Sequence, residues 1–332
     1  MRTTILGVVC ALALGLATAQ AHAEPALQVL GSNFIFPNRI KGLPAKLSEF
    51  TDLQINRFVT NDGVGLSYWE AGQGRPVIFI PGWSANGAEY VNVMYLLSPH
   101  YRVIVLDPRN QGFSERVPYG SRIERFSMDL KELVDHLGLQ QVDLCGWSMG
   151  ASVIWGYIDL FGTQGIRKAC FADEPISIYS HDDWSEQERL EAGGTTTSAE
   201  RMVAGMTRGE PLNSLVTDLK PWARFQLKDS PAFLNSEAFA EAFIKNDPEA
   251  IGRVLFDHVT NDWRDVIRHR IDVPVAIFSG EESNNLPSQR WAAAVIPNAT
   301  LYSYSSAEQG DHFLMFKNPI KFTDDLRGFL ER

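Results

Sequence analysis

The chain has 332 residues, 45% of them apolar and 21% charged, with a formal net charge of −10. That length buries a large core and suits one big domain or a domain with an insertion, and the composition is that of an ordinary folded protein. The acidic balance and the lack of any basic run exclude a nucleic-acid-binding class, while a negative surface mainly supports solubility.

In chain order, residues 1–23 stand apart. Met1-Arg2 is a short positive start, Ile5 to Ala19 is apolar, and Ala21-His22-Ala23 offers small residues at a cleavage site. This reads as a signal peptide removed near Ala23, which makes the protein exported, either periplasmic or secreted. The alternative, an uncleaved anchor, is disfavoured because about 15 apolar residues are short of the ~20 a span requires. A lipoprotein signal at Cys10 is also disfavoured, since Gly7 and Val9 fit such a site poorly. Nothing further along predicts a membrane span.

Residues 24–50, including the apolar but aperiodic "FIFPNRIKGLP", carry no assignable element. Leu53–Val59 and Leu66–Glu70 flank "NDG" and predict an opening hairpin. "PVIFIPG", "YRVIVLD", "VDLCGWS", "KACFAD", "PVAIFSG" and "TLYSYSS" follow as strand candidates. The apolar ones have the continuous hydrophobicity of strands buried on both faces. Arg125–Leu137 and Ala151–Leu160 have helical spacing. The chain closes with a helix in "NPIKFTDDLRGFLER" that puts Phe322, Leu326 and Phe329/Leu330 on one face. Alternating strands and helices predict a mostly parallel α/β sheet flanked by helices. From 178 to 270 the alternation stops and only helical pieces appear, which predicts a helical cap inserted into a core of residues 24–177 and 271–332. Cys145 and Cys170 each lie in a buried-strand run. A disulfide between them is one reading, and buried free thiols are the favoured one.

Within "VDLCGWSMGAS" a serine is fenced by Gly146 and Gly150, between a strand and a helix. A turn that tight leaves no room for neighbouring side chains, and it lifts the Ser148 hydroxyl above the carboxyl edge of the sheet, beside the positive end of a helix. Serine is a weak nucleophile at neutral pH and needs a base, which in turn needs an orienting acid. Six histidines remain after cleavage. His100 and His136 sit near helix ends, His181 opens the insertion, and His258 and His269 lie in it or at its exit. His312, in "EQGDHFLMF" between the last strand and the closing helix, leaves the sheet at the same edge as Ser148.

With these residues in order, the chain resembles the α/β-hydrolase fold over nearly all of the mature sequence. "FIPGWS" is similar to the family's oxyanion loop, "LDPRNQGFSE" to its D-x-R-G-x-G-x-S stretch with Asn110 where glycine is usual, "GWSMG" to its nucleophile elbow, and "GDHF" to its histidine loop. The resemblance implies an eight-stranded sheet and oxyanion N–H groups from Trp83 and Met149. It also implies a pocket lined by Trp83, Trp147 and Met149; simple packing is the competing account of these side chains. The acid departs from the common pattern, because Ser283 holds the place after the seventh strand where most members keep a carboxylate. The family's other solution, an acid after the sixth strand, points to Asp173, with Glu174 and Glu282 in reserve and a capping role for Asp173 as the competing account. Asp311 would point elsewhere, and Asp107 reads as structural.

The implied function is a serine hydrolase cleaving an ester, lactone or thioester through Ser148, His312 and Asp173, with a small apolar ester as partner and no metal or organic cofactor. Cofactor-free haloperoxidase or perhydrolase chemistry and amide hydrolysis remain open on the same residues, as does a non-catalytic ligand-binding role. Dehalogenases and epoxide hydrolases are disfavoured, since the family places aspartate at their nucleophile. No nucleic acid and no stable membrane insertion after cleavage are implied, and the oligomeric state is left open.

Overall fold

A computed structural model describes residues 24–36, 40–193 and 247–332. The expected leader, residues 1–23, and the middle of the expected cap, residues 194–246, lie outside the described residues. The strands are β1 (Glu24–Pro25), β2 (Gln54–Val59), β3 (Gly65–Ala71), β4 (Pro76–Ile80), β5 (Arg102–Leu106), β6 (Val142–Trp147), β7 (Ile166–Ala172), β8 (Val275–Gly280) and β9 (Ala299–Tyr304). They form one sheet in the order β1-β2-β3-β5-β4-β6-β7-β8-β9. The pairs from β1 to β3, and β3 with β5, are antiparallel; the rest are parallel. The expected eight strands become nine because Glu24–Pro25 pairs with Gln54 and Ile55 at the edge, a contact that no periodicity in two residues could announce.

The described helices are α1 (Ala26–Leu30), α2 (Val91–Leu97), α3 (Ile123–His136), α4 (Met149–Phe161), α5 (Glu186–Ala192), α6 (Pro248–Val259), α7 (Arg264–His269), α8 (Leu286–Val295), α9 (Leu314–Lys317) and α10 (Pro319–Glu331). No described helix is long and apolar enough to cross a membrane. Side chains along a strand alternate between faces, so the sheet divides the core in two. Val77 and Phe79 join α2, α9 and α10 on one face. Ile78 and Ile80 join α3, α4 and α7 on the other. The closing helix buries Phe322, Leu326, Phe329 and Leu330 as its spacing predicts, each contributing about 1.5–3 kcal/mol.

Residues 24–50, unassigned from sequence, wrap the sheet edge. Ala26, Phe36, Leu47 and Phe50 enter the first core cluster, and an isolated bridge joins Ile35 to Lys46. Beyond the short β1, α1 and a single helical turn at Leu47–Glu49, the described part of this segment is held by tertiary burial, which is why its sequence shows no period. Cys145 and Cys170 are direct cross-strand partners on β6 and β7, and both are buried free thiols.

The parallel strands point their carboxyl ends one way. The loops after β4, β5, β6, β7, β8 and β9 therefore emerge on one edge, where open α/β sheets place their sites.

Candidate active site

β6 ends at Trp147 and α4 begins at Met149, so Ser148 alone makes the turn, at φ 52° and ψ −136°. A non-glycine residue there costs on the order of 1–3 kcal/mol and persists only where its surroundings impose it. The two glycines show how. A Cβ on Gly146 would stand 2.5 Å from the backbone of Gly150 and Ala151, and one on Gly150 would stand 2.0 Å from the Ile80 carbonyl oxygen. The helix thus packs its first turn directly on β6 and β4. Met149, as its first residue, has an N–H with no intrahelical acceptor.

His312 Nε2 lies 3.1 Å from Ser148 Oγ, and His312 Nδ1 lies 2.8 Å from Asp173 Oδ2. A carboxylate accepts only, so the imidazole carries its proton on Nδ1 and turns the Nε2 lone pair to the serine hydroxyl. Asp173, at the tip of β7, has φ 52° and is fully buried. Ser279 Oγ donates to its Oδ1 at 2.5 Å, while Ser283 Oγ at 2.7 Å and Asn285 Nδ2 at 3.2 Å donate to Oδ2. Ser283, at the place where a carboxylate was expected after the seventh strand, is therefore a donor to the Asp173 carboxylate at the tip of the neighbouring strand. The reserves lie elsewhere. Glu174 accepts from Ser152 Oγ and His258 Nε2, both at 3.0 Å, and Glu282 accepts from Ser306 on the exposed side.

The histidine loop is braced from below. Trp147 is 5% exposed, donates its indole N–H to the His312 carbonyl at 2.8 Å, and packs edge-on to Phe316 at 4.8 Å. The expectation that Trp147 lines a pocket is corrected: in a parallel strand buried on both faces, its side chain points into the core with Cys145. The Met149 side chain is likewise fully buried, on the opposite face. Asp311 pairs with Lys317 at 2.6 Å, away from the serine, and burial pushes its carboxyl up.

The loop after β4 reaches the serine through Gly82, where a Cβ would stand 2.9 Å from Ser148 Cβ. Trp83 follows. Its indole N–H donates to the Ile251 carbonyl on α6 at 2.8 Å, and its ring packs with Leu255 and Val259. Two buried carboxyls hold this loop. Asp107 accepts from the N–H groups of Gly87 at 2.7 Å and Phe113 at 2.9 Å, and from the Trp69 indole; burial pushes its pKa up to about 6. Glu89 accepts from the Asn86 N–H at 2.8 Å, and burial pushes it up to about 7. Asn110, standing where glycine is usual, adopts φ 68° and accepts from the Val117 N–H at 2.7 Å through Oδ1. Asparagine tolerates this left-handed conformation better than other side-chain-bearing residues.

Sequence reasoning missed Ser279, Asn285 and His258. Ser279 had a faint signal, a polar side chain at the tip of an otherwise apolar strand, and Asn285, just before α8, had none. His258 had none, because its partner Glu174 is distant in sequence. Among the described residues no cluster of three or more His, Cys, Asp or Glu is placed to hold a metal ion.

Residues 75–319 match the family described as the alpha/beta hydrolase fold. A non-heme chloroperoxidase of Kitasatospora aureofaciens is 28% identical over 281 residues, covering 82% of this chain and 98% of that protein. A bromoperoxidase from Bacillus anthracis superposes with a TM-score of 0.67 at 24% identity, over 83% of this chain and all of that one. An esterase from Exiguobacterium antarcticum superposes at 0.66 with 20% identity, over 83% of this chain and 99% of that one. At such identities the two structures speak to the fold alone.

Proposed function

The chain belongs to the alpha/beta hydrolase fold family, and from that membership we propose that it is an exported serine hydrolase that cleaves a carboxylic ester, a lactone or thioester included. One observation carries the reading: the hydrogen-bonded run from Ser148 Oγ through His312 to Asp173, at 3.1 Å and 2.8 Å. In the proposed reaction Ser148 attacks the ester carbonyl while His312 Nε2 takes its proton. The tetrahedral oxyanion forms against the backbone N–H groups of Trp83 and Met149, where preorganised donors contribute about 2.7–4 kcal/mol each. His312 returns the proton to the leaving alcohol, and the acyl-enzyme then falls to water activated by the same imidazole. Asp173 fixes the tautomer and offsets the charge of the imidazolium.

A second reading rests on the named relative. If hydrogen peroxide replaces water at the acyl-enzyme, the product is a peracid and free Ser148, and the peracid oxidises halide outside the site.

A fluorophosphonate probe and a panel of chromogenic esters of graded acyl length, with a few lactones, test the proposal. Labelling and turnover are expected in the wild type, with Ser148→Ala losing both, about 10⁶-fold in kcat for a complete nucleophile deletion. Folded protein that neither labels nor turns over any ester would refute esterase action and favour a ligand-binding role. Halogenation of a dye that needs carboxylic acid, peroxide and bromide together would favour the second reading. Export is tested separately: mass spectrometry of the released protein is expected to give Glu24, the first residue of β1, as its amino terminus.

A further inference from the structure

Asp173 and Glu174 are chain neighbours at the tip of β7, and the proposed reaction uses only the first. Glu174 is nevertheless 1% exposed, and a buried carboxylate is tolerated only where partners satisfy it. Its Oε1 takes two. Ser152 Oγ, one helical turn beyond the nucleophile on α4, donates at 3.0 Å, and His258 Nε2, on α6 of the insertion, lies at 3.0 Å. The Gln289 amide also donates to the Glu174 carbonyl. One carboxylate thus joins the nucleophile helix, the acid turn and the insertion.

The protonation pattern of His258 follows from its surroundings. The residue is 4% exposed, and its Nδ1 has no hydrogen-bond partner among the described residues. A proton on Nδ1 would be a buried donor without an acceptor, which is costly. The imidazole therefore keeps its proton on Nε2 and donates it to Glu174.

α6 is tied down along its whole length. The Asp247 N–H donates to the Asn110 carbonyl at 3.0 Å, the Ile251 carbonyl accepts from Trp83, and Asp257 Oδ2 accepts from the Ile123 N–H at 2.9 Å. With His258, this single helix connects the loops after β5, β4 and β7. Asp173 itself sits in the left-handed region at φ 52°, a conformation that has to be imposed from both sides. On one side are Ser279, Ser283 and Asn285; on the other is Glu174. Without His258, Glu174 Oε1 keeps only the serine hydroxyl, and the carboxylate gains by turning toward water, which rotates the adjoining Asp173.

We propose that His258 is a positioning residue for the reaction: by donating to Glu174 it locks the 173–174 turn and so sets the angle at which Asp173 meets His312. The insertion helix is then part of the catalytic frame as well as a cover. This rests on the serine-hydrolase reading for its kinetic consequence.

The test uses the full chain with His258→Leu, His258→Gln and Glu174→Ala. Three quantities are measured: kcat and KM on a chromogenic ester, the thermal midpoint, and the downfield proton resonance of the His312 Nδ1–H on the Asp173 carboxylate. His258→Leu is expected to lower kcat about 10²-fold, as a misplacement near 1 Å does, with KM changed less than about threefold. It should also shift or broaden the downfield resonance. His258→Gln, whose amide can still donate to Glu174, is expected to recover most of kcat and the native resonance. A kcat loss that only tracks the folded fraction, an unmoved resonance, or a glutamine variant as impaired as leucine overturns the proposal. If His258→Leu fails to fold, Glu174→Ala, which removes the acceptor of both bonds, decides by the same resonance: shifted supports, unmoved overturns. A wild type with no ester turnover and no fluorophosphonate labelling overturns the hydrolase reading instead, and the resonance arm still judges the positioning claim.

Discussion

Replacing Asp173 by asparagine removes one charge and keeps the shape. In the native site Oδ2 receives three donors, from His312, Ser283 and Asn285, and Oδ1 receives one, from Ser279. An asparagine amide placed toward Oδ2 would face three donors with another donor. Placed toward Oδ1 it meets only the Ser279 hydroxyl, which can rotate and accept. The amide therefore settles on the Ser279 side, its oxygen stays on His312 Nδ1, and the imidazole keeps its tautomer. What is lost is the attraction between carboxylate and imidazolium. At roughly 4 Å between charge centres and an effective dielectric of about 20 that is about 4 kcal/mol, or about 10³-fold in rate. The expected outcome is a kcat about 10³-fold down, with KM and thermal midpoint little changed, read by single-turnover acylation of a chromogenic ester. Glu282→Gln, on the exposed side with Ser306, is expected to leave kcat within about twofold. A near-native Asp173→Asn together with a crippled Glu282→Gln would refute the assignment and move the acid to the neighbouring loop.

Two further changes test the frame. Gly150→Ala drives a methyl to 2.0 Å from the Ile80 carbonyl, a backbone neighbour that cannot swing away; a loss of about 3 kcal/mol in chemical denaturation is expected, and an unchanged midpoint would contradict the packing of α4 on β4. Glu89→Gln probes a buried acid held up at about 7. This carboxyl holds its proton more tightly in the folded chain than in the unfolded one, so its contribution is full at low pH and is lost as pH rises from about 4.5 through about 7. The variant's stability advantage over wild type should accordingly grow between about pH 5 and about pH 8, by a few kcal/mol at most; a constant difference would refute the burial argument.

Much of the architecture was legible because its signals are local. Buried parallel strands announce themselves as apolar runs, and Gly146 and Gly150 announce a turn whose backbone contacts forbid any Cβ. The meeting of His312 with Ser148 was legible from position alone: His312 is the histidine in a loop that must leave the same edge as Ser148. The carboxylate that meets His312 was harder, since Asp173 and Glu174 are indistinguishable until the backbone at 173 turns left-handed and sends one carboxylate to His312 and the other to His258. For Trp147 the resemblance implied a pocket wall, with simple packing as the competing account, and the parity of β6 sends it into the core. Residues 24–50 gave nothing, for those described, such as Ala26, Phe36, Leu47 and Phe50, are shaped by the core they cover.

The pairing of β7 with β8, which sets Ala172 opposite Phe278, has a reach beyond the sheet. Ser148 and Asp173 precede the long excursion between these strands and His312 follows it, so register, and not chain continuity, reunites the three side chains. Closing a longer detour costs little, about 0.6 kcal/mol for each doubling of its length. The connection between β7 and β8 can therefore lengthen at little cost to this register, provided the stretch bearing Ile251 and His258 keeps its contacts with Trp83 and Glu174.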